Sequence, residues 1–148
     1  MGKQDLLAKK YMSDNEKFAD VFNYYLYNGK QVIKPENLHE ESISEIALPY
    51  SEKNKNTFIE KYRDIIKRCV VKSDNHYTYF LLGIENQSEI HYAMPVRNML
   101  YDSLNYSGQV NRIEKNHKKC KDKLSSAEYL SGVTKSDKIT PVITLVLY

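Results

Sequence analysis

Apolar residues recur at helical spacing early in the chain, at Phe18, Val21, Phe22 and Tyr25. Ser13-Asp14-Asn15-Glu16 precedes them and reads as a capping box, with Ser13 at the N-cap and Glu16 three positions on. Asn28-Gly29 supplies a stop signal. The pattern therefore predicts a helix of about four turns, followed by a loop over 30–40 that contains Pro35. Residues 42–50 alternate around Ile43, Ile46 and Leu48 and predict a strand ended by Pro49. The polar stretch 51–56 predicts a loop.

Residues 64–72 (DIIKRCVVK) and 77–87 (YTYFLLGIENQ) are β-rich, and SDNH between them is turn chemistry. Together they predict an antiparallel hairpin in which Lys72 faces Tyr77. Pro95 opens a long helical pattern through Val96, Met99, Leu100, Leu104, Val110 and Ile113, with Gly108 as a mild break. Residues 124–138, with Gly132, predict a loop. The apolar run 139–148 predicts a strand covered on both faces. A strand, a long helix and another strand in succession predict a crossover into parallel pairing.

Length and composition narrow the class. The chain of 148 residues is sized for one domain, and 41% apolar with 28% charged residues suits a globular protein with an ordinary core. No stretch has the length of a membrane span, and the first residues lack the form of a signal peptide. Cys69 and Cys120 make neither a disulfide framework nor a zinc motif, so free thiols in a cytoplasmic protein are expected. The four histidines show no zinc spacing, and no phosphate-binding glycine loop or nucleophile elbow is present.

The net charge of +3 permits nucleic-acid binding without arguing for it. Lys118, Lys119, Lys121 and Lys123 are concentrated within 115–123. They form either a solvated helix end or a phosphate-contacting patch. The chain has 13 tyrosines and no tryptophan, so most tyrosines must serve packing before any base stacking.

The strand FLLGI runs straight into Glu85-Asn86-Gln87. Strand alternation sets Glu85 and Gln87 on one face. The hairpin register sets Asp64 opposite Glu85, where Cβ atoms lie about 4.5–5.5 Å apart. Two facing carboxylates repel unless a positive group joins them, and oxygen ligands of this kind suit magnesium or manganese. A hydrogen-bond network or water at a sheet edge would satisfy the same groups. A slip of one residue would move Asp64 to the other face. Arg97 and Tyr101, at i and i+4, share a helix face and can either reach this site or form a surface pair. Asp14 and Asp20 are weaker acidic candidates that capping or solvation would explain.

The sequence Tyr62-Arg63-Asp64-Ile65, a hairpin, then Gly83-Ile84-Glu85-Asn86-Gln87-Ser88 resembles the Rpn family. These are recombination-promoting nucleases, also described as transposases, of the PD-(D/E)XK superfamily. The stretches 13–33, 91–106 and 141–148 carry the resemblance over nearly the whole chain. It implies an α/β fold, a restriction-endonuclease-like α-β-β-β-α-β core with a mixed central sheet flanked by helices. It implies magnesium-dependent hydrolysis of DNA phosphodiesters, with manganese as a substitute, in recombination or transposition. By position, Asp64, Glu85 and Gln87 become catalytic. Asp64, Glu85 and the carbonyl of Asn86 become metal ligands. Arg97, Tyr101 and the four lysines become DNA contacts. Gln87 stands where many relatives carry lysine and can orient a water or phosphate but not take a proton. Family members run past the strand that ends here at Tyr148, so one domain cut after its last core strand is expected. The alternative is a non-catalytic module, a truncated relative that binds DNA or pairs with a full-length nuclease without cutting. DNA is the expected partner, and a homodimer is open.

Overall fold

A computed structural model describes residues 3–41, 65–73, 76–87 and 89–148. Two helices come first, α1 (Lys3–Ser13) and α2 (Asn15–Tyr27). The sequence pattern predicted only the second, with Ser13 as its cap. Ser13 instead completes the last turn of α1, and its hydroxyl donates back to the Lys9 carbonyl at 2.8 Å. Asp14 is the N-cap, with extended backbone and a carboxylate that accepts from the Glu16 and Lys17 amides. The stop signal is where the sequence put it: Asn28 takes the left-handed conformation (φ 51°), which its short polar side chain tolerates.

The stretch 30–40, expected as a loop, holds a 3-10 turn at Pro35–Asn37 and the short strand β1 (Leu38–Glu40). Asn23 organises this return. Its side chain is fully buried, accepts from the Val32 and Ile33 amides and donates to the Ile33 carbonyl. The strand expected over 42–50 and the loop over 51–56 lie outside the described residues.

Strands β2 (Ile65–Ser73) and β3 (His76–Asn86) form the antiparallel hairpin. Lys72 faces Tyr77, as the sequence predicts, and pairing runs from Ser73–His76 to Ile65–Ile84. The long helix α3 (Met94–Cys120) follows, then a short helix α4 (Ser126–Ser131) and the strand β4 (Val142–Leu147). The sheet order is β1-β2-β3-β4, antiparallel except for the parallel β3–β4 pair. The protein is thus mixed α/β, and the crossover from β3 through α3 into parallel β4 is the one the element order predicts.

Four details depart from the sequence pattern. Gly108 lies inside an unbroken α3. Val96, Met99 and Leu100 of that helix are exposed, whereas its buried residues are Met94, Tyr101 and Asn105. The segment 124–138 contains α4, closed by a capping box of Ser125 and Glu128 and ended by Gly132 at φ 71°. Strand β4 is half-buried along its length, not covered on both faces, because it pairs on one side only among the described strands.

The two sides of the sheet differ in chemistry. Toward α2, Ile65, Cys69, Leu82 and Ile84 pack on Phe18, Ala19, Phe22, Ile33 and Leu38. The Phe18 and Phe22 rings sit 4.9 Å apart. Burying each such side chain contributes about 1.5–3 kcal/mol. Lys67 shares this side and is fully buried. Its ammonium donates to the Ser13 carbonyl and the Asn15 side-chain oxygen and lies 4.9 Å from the Phe18 ring centre. Desolvation lowers its pKa. The opposite side receives Glu85 and α3.

Candidate functional site

Alternation along β3 turns Leu82 and Ile84 to the apolar core and Leu81, Gly83 and Glu85 to the α3 side. Glu85 is 3% exposed. A buried carboxylate needs partners, and two converge on it. Arg97 Nη2 donates to Glu85 Oε1 at 3.0 Å, and Gln87 Nε2 donates to the same oxygen at 3.2 Å. The sequence expectation that Glu85 and Gln87 share a face is met. Gln87 is held in turn by its backbone amide, which donates to the Leu147 carbonyl at 2.8 Å.

Helix α3 faces the sheet with a polar stripe. Met94, Arg97, Asn98, Tyr101 and Asn105 recur at three- and four-residue spacing. Arg97 Nη2 also donates to the Tyr101 hydroxyl at 3.1 Å, and its guanidinium lies 5.8 Å from that ring. Arg97 thus joins Glu85 to the buried Tyr101 in one cluster. Further along, Gln109 donates to Asn105 Oδ1 and exchanges two hydrogen bonds with the Thr140 backbone. These bonds fasten α3 to the chain entering β4. An apolar stripe would have made a second core; this one makes a cleft whose walls hold charge and amides.

Asp64 lies outside the described residues, so its predicted place opposite Glu85 stands one residue beyond the observed Ile65–Ile84 pair. Asn86 ends β3 opposite Leu147, on the other face from Glu85 by alternation. Among the described residues, no group of three histidine, cysteine, aspartate or glutamate side chains could hold a metal ion. The oxygen donors of the expected site, the Glu85 carboxylate, the Gln87 side-chain carbonyl and the Asn86 backbone carbonyl, match magnesium in type. They make a centre only with a second carboxylate added.

The four lysines are not brought to this cluster. Lys118, Lys119, Lys121 and Lys123 are exposed at the far end of α3. Arg97 and Lys118 are separated by about 32 Å of helix at 1.5 Å per residue. Lys118 is engaged by Glu114 at 2.5 Å, which raises its pKa. Lys121 is the C-cap, in the left-handed region at φ 55°. Cations in the last turn also suit the negative end of the helix dipole. Asp14 is a cap and Asp20 is exposed. Cys69 and Cys120 are free thiols, and burial pushes the Cys69 thiol up to about 11.

Two constellations have no counterpart in the sequence reading. Arg68 and Arg112 meet at Glu41 on the α3 side of the sheet, with Nη atoms 2.8 and 4.0 Å from the same carboxylate oxygen. The available signal was Arg68 itself, a cation that alternates out of an apolar strand. His117 lies between Asp122 and Asp137 at 2.7 and 2.8 Å. Nothing in local spacing announces a pair twenty residues apart.

No described helix is long and apolar enough to cross a membrane. A mixed α/β protein with a carboxylate–arginine–amide cluster at the end of a central strand is the class these observations define. No protein-family model, curated protein or solved structure matches the chain.

Proposed function

We propose that this chain is a magnesium-dependent DNA endonuclease domain of the PD-(D/E)XK kind, with Asp64 and Glu85 as metal ligands. The observation that carries the reading is the β2–β3 register. It pairs Ile65 with Ile84; Asp64 precedes Ile65 outside the described residues, and its position opposite Glu85 is the expectation from the sequence. The element order supports it: a hairpin, then a long helix, then a parallel strand.

When bound, the metal would polarise the scissile phosphate and lower the pKa of an attacking water. Glu85 and Asp64 would supply carboxylate oxygens and the Asn86 carbonyl a third ligand. Gln87, already donating to Glu85, would fix that carboxylate and orient the water; an amide takes no proton. Arg97 would hold Glu85 in place. Lys118, Lys119, Lys121 and Lys123 would add salt-sensitive affinity without reading sequence. Because they lie about 32 Å from Arg97, a duplex touching both would span roughly nine base pairs at 3.4 Å each.

The second reading is a DNA- or partner-binding module without cleavage. The observation in its favour is that Arg97 already neutralises Glu85. A supercoiled-plasmid nicking assay, with and without magnesium, decides between them. Nicking that needs magnesium and disappears in both Asp64→Ala and Glu85→Ala is the expected result. Nicking that survives in Asp64→Ala would overturn the assignment, and no nicking by the folded wild-type chain would favour the module.

A further inference from the structure

A cavity of about 250 Å³ opens between α3 and the outer side of the hairpin. Leu81 forms its floor and Asn105 part of its wall, while Arg68, Arg112, Tyr79 and Glu41 surround them. It lies on the same side of the sheet as Glu85. Leu81 and Glu85 are four residues apart on β3, about 13 Å at 3.3 Å per residue.

Three features of this cavity point to one ligand. First, it already holds an anion. Both guanidiniums converge on Glu41 Oε1, so the site is built around a carboxylate-sized negative charge. Both arginine side chains remain nearly half exposed, at 46% and 45%, so an external anion can reach them. Second, aromatic rings continue outward from it. Tyr79 at the rim and Tyr77 two residues on share the face of Arg68, and both are exposed. Third, cations alternate with those rings: Lys72 lies opposite Tyr77, with its ammonium 5.8 Å from the ring centre. Among the described residues of this surface, Arg68, Lys72 and Arg112 outnumber Glu41, so these side chains together carry a positive charge. Regularly spaced anions recognised together with flat, exposed π-surfaces are the chemistry of a single nucleic-acid strand, whose bases are free to stack. A duplex hides those faces.

We propose that the Arg68–Arg112–Tyr79 cavity and the adjoining Tyr77–Lys72 surface bind a single nucleic-acid strand. A backbone phosphate takes the position of the Glu41 carboxylate between the two guanidiniums, and bases stack on Tyr79 and Tyr77. Glu41 is then an internal stand-in for phosphate, which the strand must displace. The proposal rests on the nucleic-acid part of the reading above and not on its metal chemistry.

The test is fluorescence anisotropy with labelled dodecathymidylate, a duplex of equal length and an abasic strand. The full chain is used in EDTA, so binding is read without cleavage. The thymidylate should bind most tightly. Arg68→Gln together with Arg112→Gln should weaken binding at least about tenfold and reduce the log–log salt slope by about 0.7, the share of the one phosphate the two guanidiniums hold. Tyr79→Ala should weaken binding between about fivefold and about 150-fold, and Tyr79→Phe should restore it, as stacking requires. Glu41→Gln should tighten binding, an outcome that a purely structural Arg–Glu contact would not produce. Arg112→Gln alone, at a side chain nearly half exposed, guards against a folding defect in the double variant. Wild-type affinity and slope in Arg112→Gln would overturn the proposal, as would equal binding of the abasic strand. Glu85→Ala separates this idea from the nuclease reading. Thymidylate binding retained where nicking is absent from every variant, wild type included, leaves the strand site standing and removes the nuclease.

Discussion

Arg97 Nη2 donates to Glu85 Oε1 at 3.0 Å, across the gap between the first turn of α3 and the last residues of β3. The two ends are unequally placed: the carboxylate side chain is 4% exposed and the guanidinium 28%. Removing the arginine leaves a buried charge with less compensation, the expensive direction for such a pair. Water can enter from the arginine side, so the loss falls below that of a sealed ion pair. Arg97→Ala should lower stability by about 2 kcal/mol in urea denaturation, and Glu85→Gln by less, because the cation left behind is partly hydrated. If the two variants unfold at the same midpoint as wild type, the contact has no structural weight.

Gln87 touches the same oxygen. On the proposed reading it orients water and carboxylate without neutralising charge or accepting a proton. Gln87→Ala should therefore lower the nicking rate while magnesium affinity, measured by calorimetry, stays within a few-fold of wild type. Gln87→Lys should keep or raise the rate by adding a positive charge. Loss of metal binding in Gln87→Ala as complete as in Glu85→Ala would make Gln87 a ligand and end the orienting role.

The hairpin was legible because register follows from strand alternation and a short turn: Lys72 opposite Tyr77 is a local consequence of SDNH. The crossover to β4 was legible from element order alone. Helix α3 was legible, and so was the shared face of Arg97 and Tyr101. The apolar positions Val96, Met99 and Leu100 that announce the helix are exposed, whereas Arg97, Tyr101 and Asn105 line the sheet. A cleft that carries polar side chains inverts the usual pattern, and periodicity cannot say which of two helix faces is turned inward. Cap positions failed for a different reason. Ser13 and Asp14 are both good N-cap residues, and the decision lay with the unrecognised helix before them. The meeting of Arg68, Arg112 and Glu41 depends on tertiary distance, which no window along the chain records.

Asn23 illustrates a purely structural requirement. It is fully buried on α2 and satisfies three backbone groups, the Val32 and Ile33 amides and the Ile33 carbonyl. Asn23→Ala strands those groups away from water, at about 1–3 kcal/mol for an unsatisfied buried group. The variant should lose about 3 kcal/mol in all, and Asn23→Asp, which keeps the acceptor and loses the donor, somewhat less. Equilibrium denaturation compares them. A loss under about 0.5 kcal/mol, the range of an ordinary surface substitution, would mean the turn finds other partners.

His117 gives the pH prediction. Its Nδ1 lies 2.7 Å from Asp122 Oδ2 and its Nε2 lies 2.8 Å from Asp137 Oδ2. Only the imidazolium can donate from both nitrogens at once, so Asp122 first and Asp137 second hold its pKa above the ordinary 6.5. Asp137 is pushed down to about 2, by the Thr134 backbone amide first and by His117 next. The signs follow from linkage. The histidine's contribution is complete below 6.5 and fades as pH rises through the raised folded value. The aspartate's is complete above its ordinary 3.8 and fades as pH falls through about 2. The clip tying the end of α3 to residues 122–137 should therefore be strongest between about pH 4 and 6.5 and weaken on the alkaline side. His117→Asn should flatten that alkaline decline in urea midpoints measured from pH 5 to 9. Asp137→Asn should lower stability further at every pH in the range, because it also loses the charge that accepts from the Thr134 amide and hydroxyl. An imidazole resonance for His117 that titrates at or below 6.5 in the folded chain would show that the two carboxylates do not hold the proton, and the clip would be a contact without a charge.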